Sequence, residues 1–173
     1  YLKSFIKNDE RKIFALIMGG PNKYYEYSTK NMKRIFSILY NLNKKQNFQL
    51  IVIPSMRTPK NIIQYAKEFF GENHTIIMDV DKKAYLSALA MSENIVVTCD
   101  SSSMISEAAL TGKPIYVANI LPRKNDKRFQ EFRNLFRELN ITRNLDEEIE
   151  NWNYEKLDET NRVAKLIKQK IQF

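Results

Sequence analysis

The 173-residue chain has one cysteine, Cys99, and one histidine, His74. A lone cysteine excludes an internal disulfide and any cysteine-cluster metal site, and a lone histidine excludes a multi-histidine zinc site within the chain. A histidine-assisted nucleophile would have to use His74. That residue follows Gly71-Glu72-Asn73 ahead of an expected strand and reads as structural. Glycine is scarce as well: Gly19, Gly20, Gly71 and Gly112 are the only four. They form neither Gly-x-Gly-x-x-Gly nor a Walker loop, so no NAD site is expected. The longest apolar run, Ile13–Met18, has six residues, against the roughly 18 that a membrane span needs. Residue 1 is Tyr and no signal-peptide pattern follows. The chain therefore reads as a fragment or processed product, with a partner domain to be expected outside it.

Hydrophobic residues make up 43% of the chain. That is enough for a core burying about 70% of the unfolded surface, and the length suits one domain of about 100–200 residues. The net charge of +8 is uneven. Residues 1–60 carry 12 Lys/Arg against 3 Asp/Glu, residues 61–120 carry 4 against 7, and residues 121–173 carry 12 against 10. The basic first third fits an anionic partner, a membrane surface or a protein face. Charge alone is weak ground for nucleic acid, and no specific nucleic-acid partner is expected. The single cysteine suits a reducing compartment, so the expected location is cytoplasmic, including the inner face of a membrane.

Five short Ile/Val-rich runs, Ile13–Met18, Leu50–Ile53, Thr75–Met78, Asn94–Thr98 and Pro114–Ala118, show little alternation. Strands buried on both faces read this way. Helical patterns separate them. Met32, Ile35, Phe36, Leu39 and Leu42 form one apolar stripe, with Ser28 or Thr29 placed to cap it. A second helix is expected from Thr58-Pro59, with Thr58 as cap and Ile62, Ile63, Ala66, Phe69 and Phe70 facing inward. Helices are also expected over Ala84–Ser92 and from about Ser103 to Thr111. Alternating strands and helices predict an α/β domain: a Rossmann-like parallel sheet flanked by helices, joined by right-handed crossovers. By this pattern the alternation stops at about residue 120. Residues 121–173 read as a C-terminal helical extension. Phe129, Phe132, Phe136 and Leu139 mark one helix in it, and Val163, Leu166, Ile167 and Ile171 face inward from a terminal one.

Open parallel sheets bind ligands at the carboxyl ends of their strands. After the first strand come Gly19-Gly20-Pro21-Asn22-Lys23, where glycine allows close backbone approach to an anion and Asn22 can donate to it. An ordinary strand-to-helix turn is the alternative. After the second comes Ser55-Met56-Arg57-Thr58-Pro59, which sets Arg57 beside a helix start, where phosphate binds well. After the fourth comes Cys99-Asp100-Ser101-Ser102-Ser103-Met104-Ile105-Ser106-Glu107. Its serines and helix-start amides suit phosphate, and Glu107 lies one turn beyond Ser103. A carboxylate there can accept two hydroxyls of a sugar ring. Caps alone would explain only part of this string. Tyr40 and Lys44 have a short-chain dehydrogenase spacing without its glycine fingerprint and read as chance. Cys99 reads as a packed thiol, and Trp152 as a core or domain-contact residue.

Val97-Thr98-Cys99-Asp100-Ser101-Ser102-Ser103-Met104-Ile105-Ser106-Glu107-Ala108, followed by Thr111-Gly112-Lys113-Pro114-Ile115-Tyr116-Val117, resembles the signature of the ELM-type mitochondrial-fission family. Gly19-Gly20-Pro21 and Ser55-Met56-Arg57-Thr58-Pro59 resemble its other motifs, in the same order. The family is itself similar to glycosyltransferases of the GT-B fold. The resemblance implies that this chain is the C-terminal half of a two-domain fold, binding a nucleoside-diphosphate sugar without NAD or a covalent cofactor. It implies Glu107 on the ribose, Ser102, Ser103 and Met104 on the phosphate side, and Gly20 and Arg57 toward the diphosphate. Gly19, Asn22, Thr58, Asp100 and Ser101 complete the expected site. No catalytic residue and no metal ligand is assigned. Met56 stands where the family often has a second arginine, and Lys83-Ala84-Tyr85 where Asn-Pro-Tyr is usual. Two other roles share the fold: a sugar-nucleotide epimerase of the GT-B-like kind, and a non-enzymatic adaptor.

Overall fold

The computed structural model describes residues 1–7 and 10–171. Six parallel strands, β1 (Ile13–Met18), β2 (Gln49–Pro54), β3 (Thr75–Ile76), β4 (Asn94–Thr98), β5 (Ile115–Ala118) and β6 (Thr142–Asn144), form one sheet in the order β3-β2-β1-β4-β5-β6. The six helices are α1 (Thr29–Gln46), α2 (Lys60–Phe70), α3 (Lys82–Met91), α4 (Ser102–Ala109), α5 (Lys127–Glu138) and α6 (Glu159–Ile171). The fold is α/β and Rossmann-like. Strands β2, β4 and β5 are buried along their whole length, as their unbroken apolar runs require.

Right-handed crossovers set α1 and α2 on one face of the sheet and α3, α4 and α5 on the other, because the strand order reverses between β3 and β4. Contacts between α1 and α2, and between α4 and α5, follow from this. On α1, Met32, Ile35, Phe36, Leu39 and Leu42 are buried, and Ser28 Oγ caps the helix by accepting from the Asn31 amide. Phe36 packs against Tyr65, Phe69 and Phe70 of α2. Gly71, at φ 64°, ends α2 in a conformation that side chains resist.

Three sequence expectations are corrected. The strand–helix alternation continues past residue 120, since α5 leads into β6, which pairs with β5. Thr142-Arg143-Asn144 is a short polar edge strand with no apolar run to announce it. Thr58 does not cap α2. It accepts from the Ser55 amide and donates to the Met18 carbonyl, and the helix begins after Pro59. Val163, Leu166, Ile167 and Ile171 of α6 face solvent rather than the core. The body is already closed at that end by Trp152, which packs on Tyr116 and donates to the Asn140 carbonyl at 2.8 Å.

Candidate functional site

The sheet order reverses at β1 and β4, and the loops leaving β1, β2 and β4 meet at that switch point. Asp100 is their common anchor. Its carboxylate is fully buried. It accepts from the Gly20 amide at 2.9 Å, from the Tyr27 hydroxyl at 2.5 Å and from Arg57 Nη2 at 3.1 Å. Thr98 Oγ1 accepts from the Gly19 amide at 2.8 Å and lies 2.6 Å from the Tyr27 hydroxyl. Burial, then the neighbouring Asp100, pushes the Tyr27 phenol well above its usual range, so it stays a donor.

The glycines make room for this network. A Cβ on Gly19 would lie 2.1 Å from Asp100 Oδ2, and one on Gly20 would lie 2.1 Å from the Arg57 carbonyl oxygen. Thr58 is buried, with its hydroxyl taken up by main-chain carbonyls. Asn22 braces its own loop. Its side-chain oxygen accepts from the Tyr24 and Tyr25 amides, and its amide nitrogen donates to the Asp100 carbonyl. Arg57 bonds the Gly20 carbonyl at 2.9 Å as well as Asp100, so part of its charge is compensated, although 44% of its side chain is exposed.

Ser101 is the N-cap of α4 but its side chain caps no amide, and Ser101 Oγ lies 3.2 Å from Ser103 Oγ. The N-cap side chain thus leaves the first turn of α4 uncapped, with serine hydroxyls beside it, an arrangement that favours an anion. Glu107, a turn further on, is exposed and accepts from the Tyr85 hydroxyl at 2.7 Å.

The sequence reading missed Tyr27, Thr98 and Ser55 and read Lys83-Ala84-Tyr85 only as a departure from the family pattern. It also missed a support from the C-terminal segment. Asp126 accepts from Tyr25 and, at 3.0 Å, from Arg133, which in turn donates to the Tyr25 hydroxyl and reaches the Cys99 carbonyl at 3.4 Å. The Tyr24-Tyr25-Glu26-Tyr27 run was the available signal, but nothing local names its partners.

The remaining candidates are structural. His74 Nδ1 accepts from the Leu50 amide at 3.1 Å, and burial, then Arg11 and Lys7, lowers its pKa to about 4. Burial pushes the Cys99 thiol up to about 11, which leaves it unreactive. No described helix is long and apolar enough to cross a membrane.

Comparison with known proteins agrees with this architecture. The chain is 31% identical over 169 residues to protein RP120 of Rickettsia prowazekii (strain Madrid E), covering 91% of this chain and 46% of that protein. It is 28% identical over 166 residues to mitochondrial fission protein ELM1 of Arabidopsis thaliana, covering 93% and 38%. It therefore spans less than half the length of either relative. Among solved structures, UDP-GlcNAc 2-epimerase from Neisseria meningitidis bound to UDP-GlcNAc superposes with a TM-score of 0.53 at 17% identity, covering 98% of this chain and 38% of that one. UDP-GlcNAc 2-epimerase from Methanocaldococcus jannaschii in complex with UDP-GlcNAc and UDP gives 0.53 at 14%, covering 97% and 47%. These two likenesses speak to the fold alone, a Rossmann-like parallel sheet flanked by helices. The family model for mitochondrial fission ELM1 matches residues 1–171, nearly the whole chain, and with the serine loop and its glycine and arginine partners in place, the chain belongs to that family.

Proposed function

We propose that this domain binds a nucleoside-diphosphate sugar at the carboxyl edge of its sheet, as one half of a GT-B-like protein. The observation that carries the reading is the α4 N-terminus, where an uncapped first turn and three serines lie at the switch point beside Arg57. The diphosphate sits on the amides and hydroxyls of Ser101–Met104, Arg57 faces it, and Glu107 takes the ribose. The structural neighbours named for UDP-GlcNAc support this ligand class by analogy of fold. A second domain closes the cleft and supplies any catalytic base. No NAD is required, because the site has no dinucleotide fingerprint.

Calorimetric titration of the full-length protein with UDP and UDP-GlcNAc tests the reading. Micromolar to millimolar binding, weakened by Glu107→Gln by about 1–3 kcal/mol, is the expected result. One observation favours a second reading, that of a non-enzymatic adaptor. Arg57 is already paired with Asp100, and the neighbouring position holds Met56, 89% exposed, rather than a second cation. Failure to bind either nucleotide would favour the adaptor.

A further inference from the structure

Glu107 sits in solvent on α4, yet its carboxylate is held by a residue from another helix. Tyr85 lies on α3, 22 positions earlier, with its ring half-buried and its hydroxyl 2.7 Å from Glu107 Oε2. The two helices are neighbours because both cross the same face of the sheet, a consequence of the reversal between β3 and β4. Among the described residues no cation pairs with Glu107. Tyr85 is therefore what fixes its direction.

The hydrogen bond has one sense. Burial, then the bond to Glu107, holds the Tyr85 phenol above its ordinary range, so it remains protonated and donates. A bond at an exposed carboxylate competes with water and adds little to folding stability. Its effect is conformational. A free glutamate samples many rotamers, and a ligand that uses it must first freeze them. Tyr85 removes part of that freedom before any ligand arrives. It occupies one acceptor position on Oε2, and the carboxylate keeps Oε1 and a further lone pair for other donors.

The spacing suits a particular ligand group. Glu107 lies four residues beyond Ser103, about 6 Å along the helix. A 5′-phosphate on the first turn of α4 would place the 2′- and 3′-hydroxyls of its ribose at that level. Two adjacent hydroxyls are donors matched to one oriented carboxylate.

The geometry points to Tyr85 as a positioning residue that pre-orients Glu107 for the ribose diol, making the site selective for ribonucleotides over nucleotides that lack the diol. This rests on the nucleotide-binding reading above and goes beyond it by naming what sets sugar selectivity.

The test compares uridine diphosphate with 2′,3′-dideoxyuridine diphosphate on the full-length protein, in wild type and in Tyr85→Phe. The substitution keeps the ring packing and removes the hydroxyl. Wild type is expected to prefer the ribonucleotide about tenfold or more. Tyr85→Phe should weaken the ribonucleotide about 3- to 10-fold and leave the dideoxynucleotide within about twofold, with an unchanged melting curve. Glu107→Gln should compress the same preference. Equal weakening of both nucleotides, or of neither, overturns the role of Tyr85 while leaving the nucleotide site intact. If wild-type protein binds neither nucleotide, the underlying reading falls together with this one.

Discussion

A carboxylate withdrawn from water must be met by donors, and Asp100 is met by three, two from the β1–α1 loop and one from the loop after β2. Removing it takes the acceptor from the Gly20 amide and leaves the Tyr27 hydroxyl with Thr98 Oγ1 alone. Asp100→Ala should therefore cost about 2–4 kcal/mol in urea unfolding. Gly19→Ala should also destabilise, by about 2 kcal/mol or more, because its new methyl would overlap the carboxylate. The two losses share a cause. Combined, they should fall short of their sum by more than about 1 kcal/mol, since the shorter side chain leaves room for the methyl. Gly20→Ala supplies the contrast. Its methyl meets the carbonyl and Cβ of Arg57, not the Asp100 carboxylate, so Asp100→Ala should not relieve it. Strict additivity in the Gly19 pair would show that the clash is not what excludes alanine there.

At the scale of elements, α1 and α6 carry similar apolar periodicity and have opposite fates. The stripe of α1 lies in the core, with Leu39 fully buried. On α6, Ile167 is 52% exposed and Ile171 70%. Periodicity identifies an apolar face but not what covers it. Leu39→Ala should cost about 2–5 kcal/mol through the cavity it leaves. Ile167→Lys should change the stability of this chain by no more than about 0.5 kcal/mol. Chemical denaturation of both variants checks the pair. A large loss from Ile167→Lys would mean that α6 packs against the body. The helix ends follow local rules more closely: Ser28 and Asp81 cap α1 and α3 through their side chains.

For the whole molecule, one half-buried imidazole couples folding to pH. His74 accepts a backbone hydrogen bond in its neutral form, and its folded pKa of about 4 lies below the usual 6.5. Between those values the unfolded chain binds more protons than the folded one, so stability rises with pH across that window. The contribution is complete above about pH 6.5 and is lost as pH falls toward 4. His74→Gln offers a non-titrating acceptor to the Leu50 amide. The variant should lose less stability than wild type between pH 7 and pH 4.5 in urea titrations. Equal losses would assign the acid sensitivity to carboxylates instead.

The parts of this protein whose physics is local are legible in its residues. Buried parallel strands must be apolar on both faces, so β1, β2, β4 and β5 could be read from their runs, and the five-residue stripe of α1 from its 3.6-residue period. The rule that ligands gather at carboxyl ends of strands brought the glycine pair, Arg57 and the serine loop into one neighbourhood before any coordinates. How those residues are used follows from contacts made across the folded chain. Tyr27 and Asp100 are separated by 73 positions and Tyr85 and Glu107 by 22. No periodicity records such pairings, because a hydroxyl finds its carboxylate only after the sheet has been ordered. The same holds for β6, too short and polar to announce itself, and for the outward face of α6. Composition and period state what a segment can bury or donate; which partner it meets depends on the packing of distant segments.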